Sequence, residues 1–147
     1  MAFAAGERIT AARLNRLRPS TYFAQATGPL TRTDTTYAAI PGASVTFSTS
    51  TAGAEYTVDA IFDCAVGTAS ASTRMLGRIV TDGTAEGGFA IHEMDQADRD
   101  TVATMARGTL GAAGSHTILL QGALSAAAGS GTFQAFTQLK VTVTEIA

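Results

Sequence analysis

The stretch Tyr56-Thr57-Val58-Asp59-Ala60-Ile61-Phe62-Asp63-Cys64-Ala65-Val66 decides the fold class of this chain. Tyr56, Val58, Ala60, Phe62, Cys64 and Val66 point one way while Thr57, Asp59 and Asp63 point the other, the period of two expected of a strand with one buried face. Working outward, Val45 and Phe47 alternate with Ser44, Thr46 and Ser48. Ile118, Leu120, Gly122 and Leu124 alternate with Thr117, Leu119 and Gln121. Phe133, Ala135, Thr137, Leu139, Val141 and Val143 form one long face opposite Gln134, Gln138, Lys140, Thr142 and Thr144, which predicts a single closing strand.

Runs at 21–27, 73–82, 88–93 and 101–110 carry further β-branched and aromatic residues. Turn signals separate them at Pro41-Gly42, Ala52-Gly53, Asp82-Gly83, Gly87-Gly88, 111–114 and Gly129-Ser130-Gly131. About eight strands with no helical pattern between them predict an all-β chain, an antiparallel β-sandwich or jelly roll. No fixed-period repeat is present, which argues against a propeller or solenoid.

The first residues read differently. Thr10 is placed to cap a short helix, with Ile9 and Leu14 set as a hydrophobic staple and Pro19 ending the segment after Arg18. Arg13, Arg16 and Arg18 fall toward the negative end of the helix dipole. Phe3, Ile9, Leu14 and Leu17 make a narrow apolar stripe. A helix this short is marginal alone and must dock on something. The expected organisation is therefore an anchoring arm over 1–19 and a β-sandwich domain over 20–147. Phe3, Ile9, Arg13, Leu14, Arg16, Leu17 and Arg18 are the candidate assembly contacts.

Composition narrows the function classes. Leu, Ile, Val and Phe make about 20% of the 147 residues, close to the disorder threshold, but the net charge of −2 removes the other half of that signature. A core this thin favours oligomerisation. A pI near 5.6 gives no reason to expect nucleic-acid binding. The sequence has no apolar run long enough for a membrane helix and no basic-then-apolar leader, so synthesis inside a cell, in its cytoplasm, is expected. The single cysteine, Cys64, excludes an intrachain disulfide and reads as a buried small hydrophobe.

Catalytic signatures are missing. The sequence has no Gly-x-Ser-x-Gly elbow, no phosphate-cradling loop and no His-Glu-x-x-His. His92 and His116, its two histidines, read as loop-edge residues with structural roles. Glu93, Asp95, Asp98 and Asp100 form the densest acidic patch, but they lack calcium-loop spacing and read as a solvated connection. No carboxylate pair suggests glycoside hydrolysis. No catalytic, cofactor or metal site is expected.

The opening Phe3-Ala4-Ala5-Gly6-Glu7-Arg8-Ile9-Thr10-Ala11-Ala12-Arg13-Leu14-Asn15 resembles the phrase Phe-x-Ala-Gly-Glu-x-Leu-Thr-Ala-x-x-Leu-Asn that begins many small bacteriophage tail, fibre and other virion proteins. The Ala-, Thr- and Arg-rich usage is similar to that of phages of actinobacteria. In the second half, Ala113-Gly114-Ser115-His116-Thr117-Ile118-Leu119-Leu120-Gln121, Gly129-Ser130-Gly131-Thr132 and Leu139-Lys140-Val141-Thr142-Val143 are similar to trimeric fibre-knob domains. The resemblance implies a non-enzymatic virion protein, a homotrimer that docks on capsid or tail proteins through its arm, as a tail-associated or decorating subunit. A knob that binds a host receptor or glycan is the alternative, with Tyr37 the one tyrosine in an expected loop.

Overall fold

The computed structural model describes residues 10–145. It contains helix α1 (Ala11–Arg16) and eleven strands: β1 (Ser20–Gln25), β2 (Leu30–Arg32), β3 (Ala38–Thr49), β4 (Ala54–Thr68), β5 (Arg74–Thr81), β6 (Thr84–Ala85), β7 (Ala90–Glu93), β8 (Arg99–Leu110), β9 (Gly114–Leu124), β10 (Ser130–Phe133) and β11 (Gln138–Thr144). All pairings are antiparallel. In the first sheet β8 lies along one side of β4. Along the other side run β11 and β10, one after the other, with β1 outside β11 and β2 outside β10. The second sheet runs β3-β9-β5, with β6 and β7 in succession along β5.

Three strand positions are thus each shared by two short strands, and the eleven elements fill eight positions. The chain passes back and forth between two sheets four strands wide, which is the jelly-roll arrangement. The expected strand count and class hold. The two short pieces β2 and β6 carry no alternation long enough to read in the sequence.

The alternation in β4 is obeyed on the inner side: Val58 and Phe62 are fully buried, and Tyr56, Ala60, Cys64 and Val66 are buried with them. Phe62 and Phe133 meet edge to face with ring centroids 5.9 Å apart. Both rings reach the second sheet at Gly77 and Gly122, which face each other across β5 and β9. A Cβ on Gly77 would come within 2.5 Å of Phe62, and one on Gly122 within 2.2 Å of Phe133. These glycines make room for the two rings among core side chains as large as Met75, Ile79 and Leu120. At the edge of the sandwich Tyr22 of β1 stacks on Phe47 of β3 at 5.1 Å, closing the gap between sheets.

Two expectations need correction. The closing strand is not continuous, because residues 134–137 form a corner between β10 and β11 in which Ala135 and Phe136 turn outward. Asp63 organises that corner. Its backbone carbonyl accepts from the Gln134 N–H, its N–H donates to Thr137 Oγ1, and its carboxylate lies 3.4 Å from the Phe136 N–H. Arg99 then closes a two-pronged bond over the same carboxylate at 2.8 and 2.7 Å. Asp63 keeps the outward parity read from the sequence yet is only 1% exposed, since Arg99 and Phe136 cover it. Pro41-Gly42, read as a turn, lies inside β3 at a register shift between Ala39 and Ser44. Gly42 has φ +78° and packs against Thr27, so the break in pairing is a bulge rather than a reversal. The Asp82-Gly83 turn is as expected: both residues have positive φ (48° and 81°), the form a two-residue hairpin requires.

Candidate functional site

The arm is the site expected from sequence, and its described part forms as read. Thr10 Oγ1 accepts from the Arg13 N–H at 3.2 Å, the helix covers Ala11–Arg16, and Arg13 and Arg16 occupy its last turn. No residue of the helix is buried. Leu14 is 51% exposed, and Leu17 is half-buried at the C-cap. Asn15, Arg16 and Arg18 line a small concavity with Ser20 and Tyr22 of β1, Ser48 of β3, Val143 of β11, and Glu145. Glu145 caps the β3–β4 turn by accepting from the Ser50 hydroxyl and N–H and from the Thr51 hydroxyl. Led by the Ser50 hydroxyl, these donors outweigh burial and hold its carboxyl below the usual range. Arg16 Nε is buried with no hydrogen-bond partner among the described residues. Phe3 and Ile9 lie outside the described residues.

The histidines are not loop-edge residues. His116 lies in β9 and His92 in β7, both buried. His92 Nε2 lies 2.9 Å from Asp98 Oδ1. His116 Nδ1 lies 2.6 Å from Asp82 Oδ2, and its Nε2 lies 3.3 Å from Thr49 Oγ1. Hydroxyl, imidazole and carboxylate in sequence suggest a nucleophile relay, but the geometry opposes it. Nε2 also faces the Ala112 carbonyl at 3.1 Å, which can only accept, so Nε2–H donates there and has no lone pair for the Thr49 proton. Thr49 is itself 6% exposed. The group ties three turns together at one end of the sandwich. Burial alone would raise the Asp82 pKa, but its bonds from His116 and the Thr117 N–H lower it overall.

The acidic patch disperses. Glu93 pairs with Arg74 at 2.7 Å, Asp98 with His92, and Asp95 and Asp100 stand in solvent. Among the described residues no three His, Cys, Asp or Glu side chains are grouped to hold a metal ion. Burial pushes the Cys64 thiol up to about 12, with Asp63 and Asp100 adding to the shift, so the thiolate is disfavoured. Among the described residues no helix is long and apolar enough to cross a membrane.

Tyr37, the expected loop aromatic, is already engaged. The Arg78 guanidinium lies 3.7 Å over its ring, Phe89 stacks beside it at 6.4 Å, and Arg78 is itself held by Gln121.

No family model matches the sequence, and no curated protein matches it. Solved structures do. The chain aligns over 99% of its length with 73% of a chain from the tripod of the baseplate of bacteriophage Tuc2009, at 11% identity and a TM-score of 0.51. That likeness is one of fold. The C-terminal domain of EclA, a sugar-binding protein, aligns with 93% of this chain and 84% of its own at 15% identity, TM-score 0.48. A chain of infectious bursal disease virus, Gt strain, aligns with 85% of this chain at 13% identity, TM-score 0.46, and this chain spans about a third of it (32%).

Sequence reasoning missed the outer face of the first sheet. Phe23, Ile61, Met105 and Phe136 are all exposed there or over its corner. A signal existed: Ile61 shares the outward parity of Thr57, Asp59 and Asp63, an apolar residue where a solvated face calls for a polar one.

Proposed function

We propose that this chain is a non-enzymatic virion structural subunit, self-associating as a trimer and docking on capsid or tail proteins through residues 1–19. The observation that carries the reading is the helix. It is capped and formed, yet among the described residues it leaves Leu14 half in water and the Arg16 Nε unsatisfied. A six-residue helix gains too little from its own hydrogen bonds to be kept for the sandwich's sake, so Leu14 and Arg16 suit a surface outside the chain. The opening phrase shared with small phage virion proteins, and the fold likeness to a phage baseplate component, support the same assignment.

The glycan-binding alternative has less to stand on, because the Tyr37 ring is covered by Arg78 from within the molecule. The test of the leading reading is to delete residues 1–19 and measure incorporation into particles. The truncated chain is expected to fold as a β domain and to be absent from virions. Normal incorporation would sink the anchor.

A further inference from the structure

The buried ring of His116 faces two groups that only accept hydrogen bonds. The Asp82 carboxylate lies 2.6 Å from Nδ1 and the Ala112 carbonyl 3.1 Å from Nε2. Burial acts against the Asp82 charge, but its bonds from His116 and the Thr117 N–H prevail and keep it ionised. A neutral imidazole has one N–H, so one of the two acceptors would face a lone pair. An imidazolium satisfies both. Among the described residues Asp82 is the charged group in contact with the ring. Phe47 and Thr49 of β3 and the Ala112 carbonyl are uncharged. Beyond Asp82 stand Tyr56 of β4 and Glu86, joined to each other by a hydrogen bond.

We propose that His116 is a two-position proton switch: both ring nitrogens are protonated at neutral pH, and Nε2 exchanges the Ala112 carbonyl for the Thr49 hydroxyl when alkali removes one proton. The proton that leaves for solvent is the one on Nε2, since the Nδ1 proton is held by the Asp82 carboxylate. Nε2 then becomes an acceptor. It repels the Ala112 carbonyl and takes the Thr49 Oγ1–H, already 3.3 Å away. What is released is the β8–β9 turn. Gly111-Ala112-Ala113-Gly114 is exposed and carries no side chain larger than a methyl. Among the described residues the His116 bond is the one side-chain bond that reaches it. The turn lies at the end of the sandwich where α1 leads into β1. The switch thus fixes or frees a surface turn while Asp82 keeps the ring in place. It stands apart from the virion reading, since neither arm docking nor trimer formation enters it.

Nitrogen NMR of the isotope-labelled full chain tests this. At neutral pH both ring nitrogens of His116 should read as protonated; a ring with one bare nitrogen there overturns the proposal. As the pH is raised, Nε2 should lose its proton while Nδ1 keeps its own. The Ala113 amide, which shares a peptide plane with the Ala112 carbonyl, should shift with the same midpoint. An Ala113 amide that stays still while the ring titrates overturns the switch, as does a ring that keeps both protons until the chain unfolds. Thr49→Val removes the hydroxyl that the neutral ring would accept from, so the midpoint should rise by about half a pH unit or more. An unmoved midpoint in that variant overturns the exchange of partners. Asp82→Asn should move the midpoint the other way, by about one pH unit or more, because the charge opposite Nδ1 is gone. Both substitutions are close in shape to the native residues, and the spectra of the unaltered chain decide the proposal even where a variant does not fold.

Discussion

Strand β4 and helix α1 are both written as amphipathic segments, and among the described residues only β4 buries its apolar face. The inward stripe of β4 meets an opposing sheet, so Val58 and Phe62 reach 0% exposure. No residue of α1 is buried among the described residues, and Leu14 remains 51% exposed. The difference lies in geometry rather than in residue type. A fifteen-residue strand paired on both sides is held in one orientation by its neighbours' hydrogen bonds. A helix of six residues has neither the length nor the hydrogen bonds to impose its own orientation. Burial in this molecule therefore follows from what lies opposite a side chain, which a paired sheet supplies and a short helix does not.

The largest expected effect comes from breaking the buried side of this contrast. Phe62→Ala removes a ring that fills the space over Gly77 and meets Phe133, and should cost about 3–5 kcal/mol in denaturant unfolding. A loss under about 1 kcal/mol would mean that the two glycines do not exist to admit the rings.

Acid should come next. Asp82 and Glu145 are both held below their ordinary pKa in the folded chain, so the stability they contribute is complete above the unfolded carboxylate range and is lost as pH falls through their lowered values. Both tie turns at the ends of the sandwich. Thermal midpoints should therefore drop below about pH 4, and Asp82→Asn should flatten part of that drop. An identical acid profile for Asp82→Asn would remove the His116 clasp from the account.

The smallest effect on stability sharpens the other side. Leu14→Ser should shift unfolding by no more than about 0.5 kcal/mol, as expected of an exposed position. The same substitution should sharply reduce incorporation into particles. A large loss of stability would show that α1 serves the sandwich after all.

The inner-face residues of β4, β9 and the second half of the closing segment were legible because each sits in an alternating run longer than any competing signal. The corner at 134–137 was not, although Phe133, Thr137, Leu139, Val141 and Val143 keep the buried parity assigned to them. Nothing local marks the interruption. It exists because Asp63, some seventy residues away in sequence, supplies partners for Gln134, Phe136 and Thr137. The histidines failed for the same reason: Asp82 is a distant partner of His116, and a nearby glycine turn gave the stronger local signal. At the candidate site, the cap and the arginines of α1 were legible because capping is local. The exposed group of Phe23, Ile61 and Met105 was not, since it joins strands far apart in the chain.

The sequence by itself determined the all-β class, the number of strand positions, most turns, and a capped helix ahead of the sheets, because these depend on interactions within a few residues. Only the tertiary structure decided which strands are neighbours and where the closing strand breaks. It also decided that both histidines are buried on aspartates, and which apolar side chains are left outside. Each of these depends on what is placed opposite a residue across a sheet or a sandwich, and alternation fixes the face of a strand without naming the strand it faces.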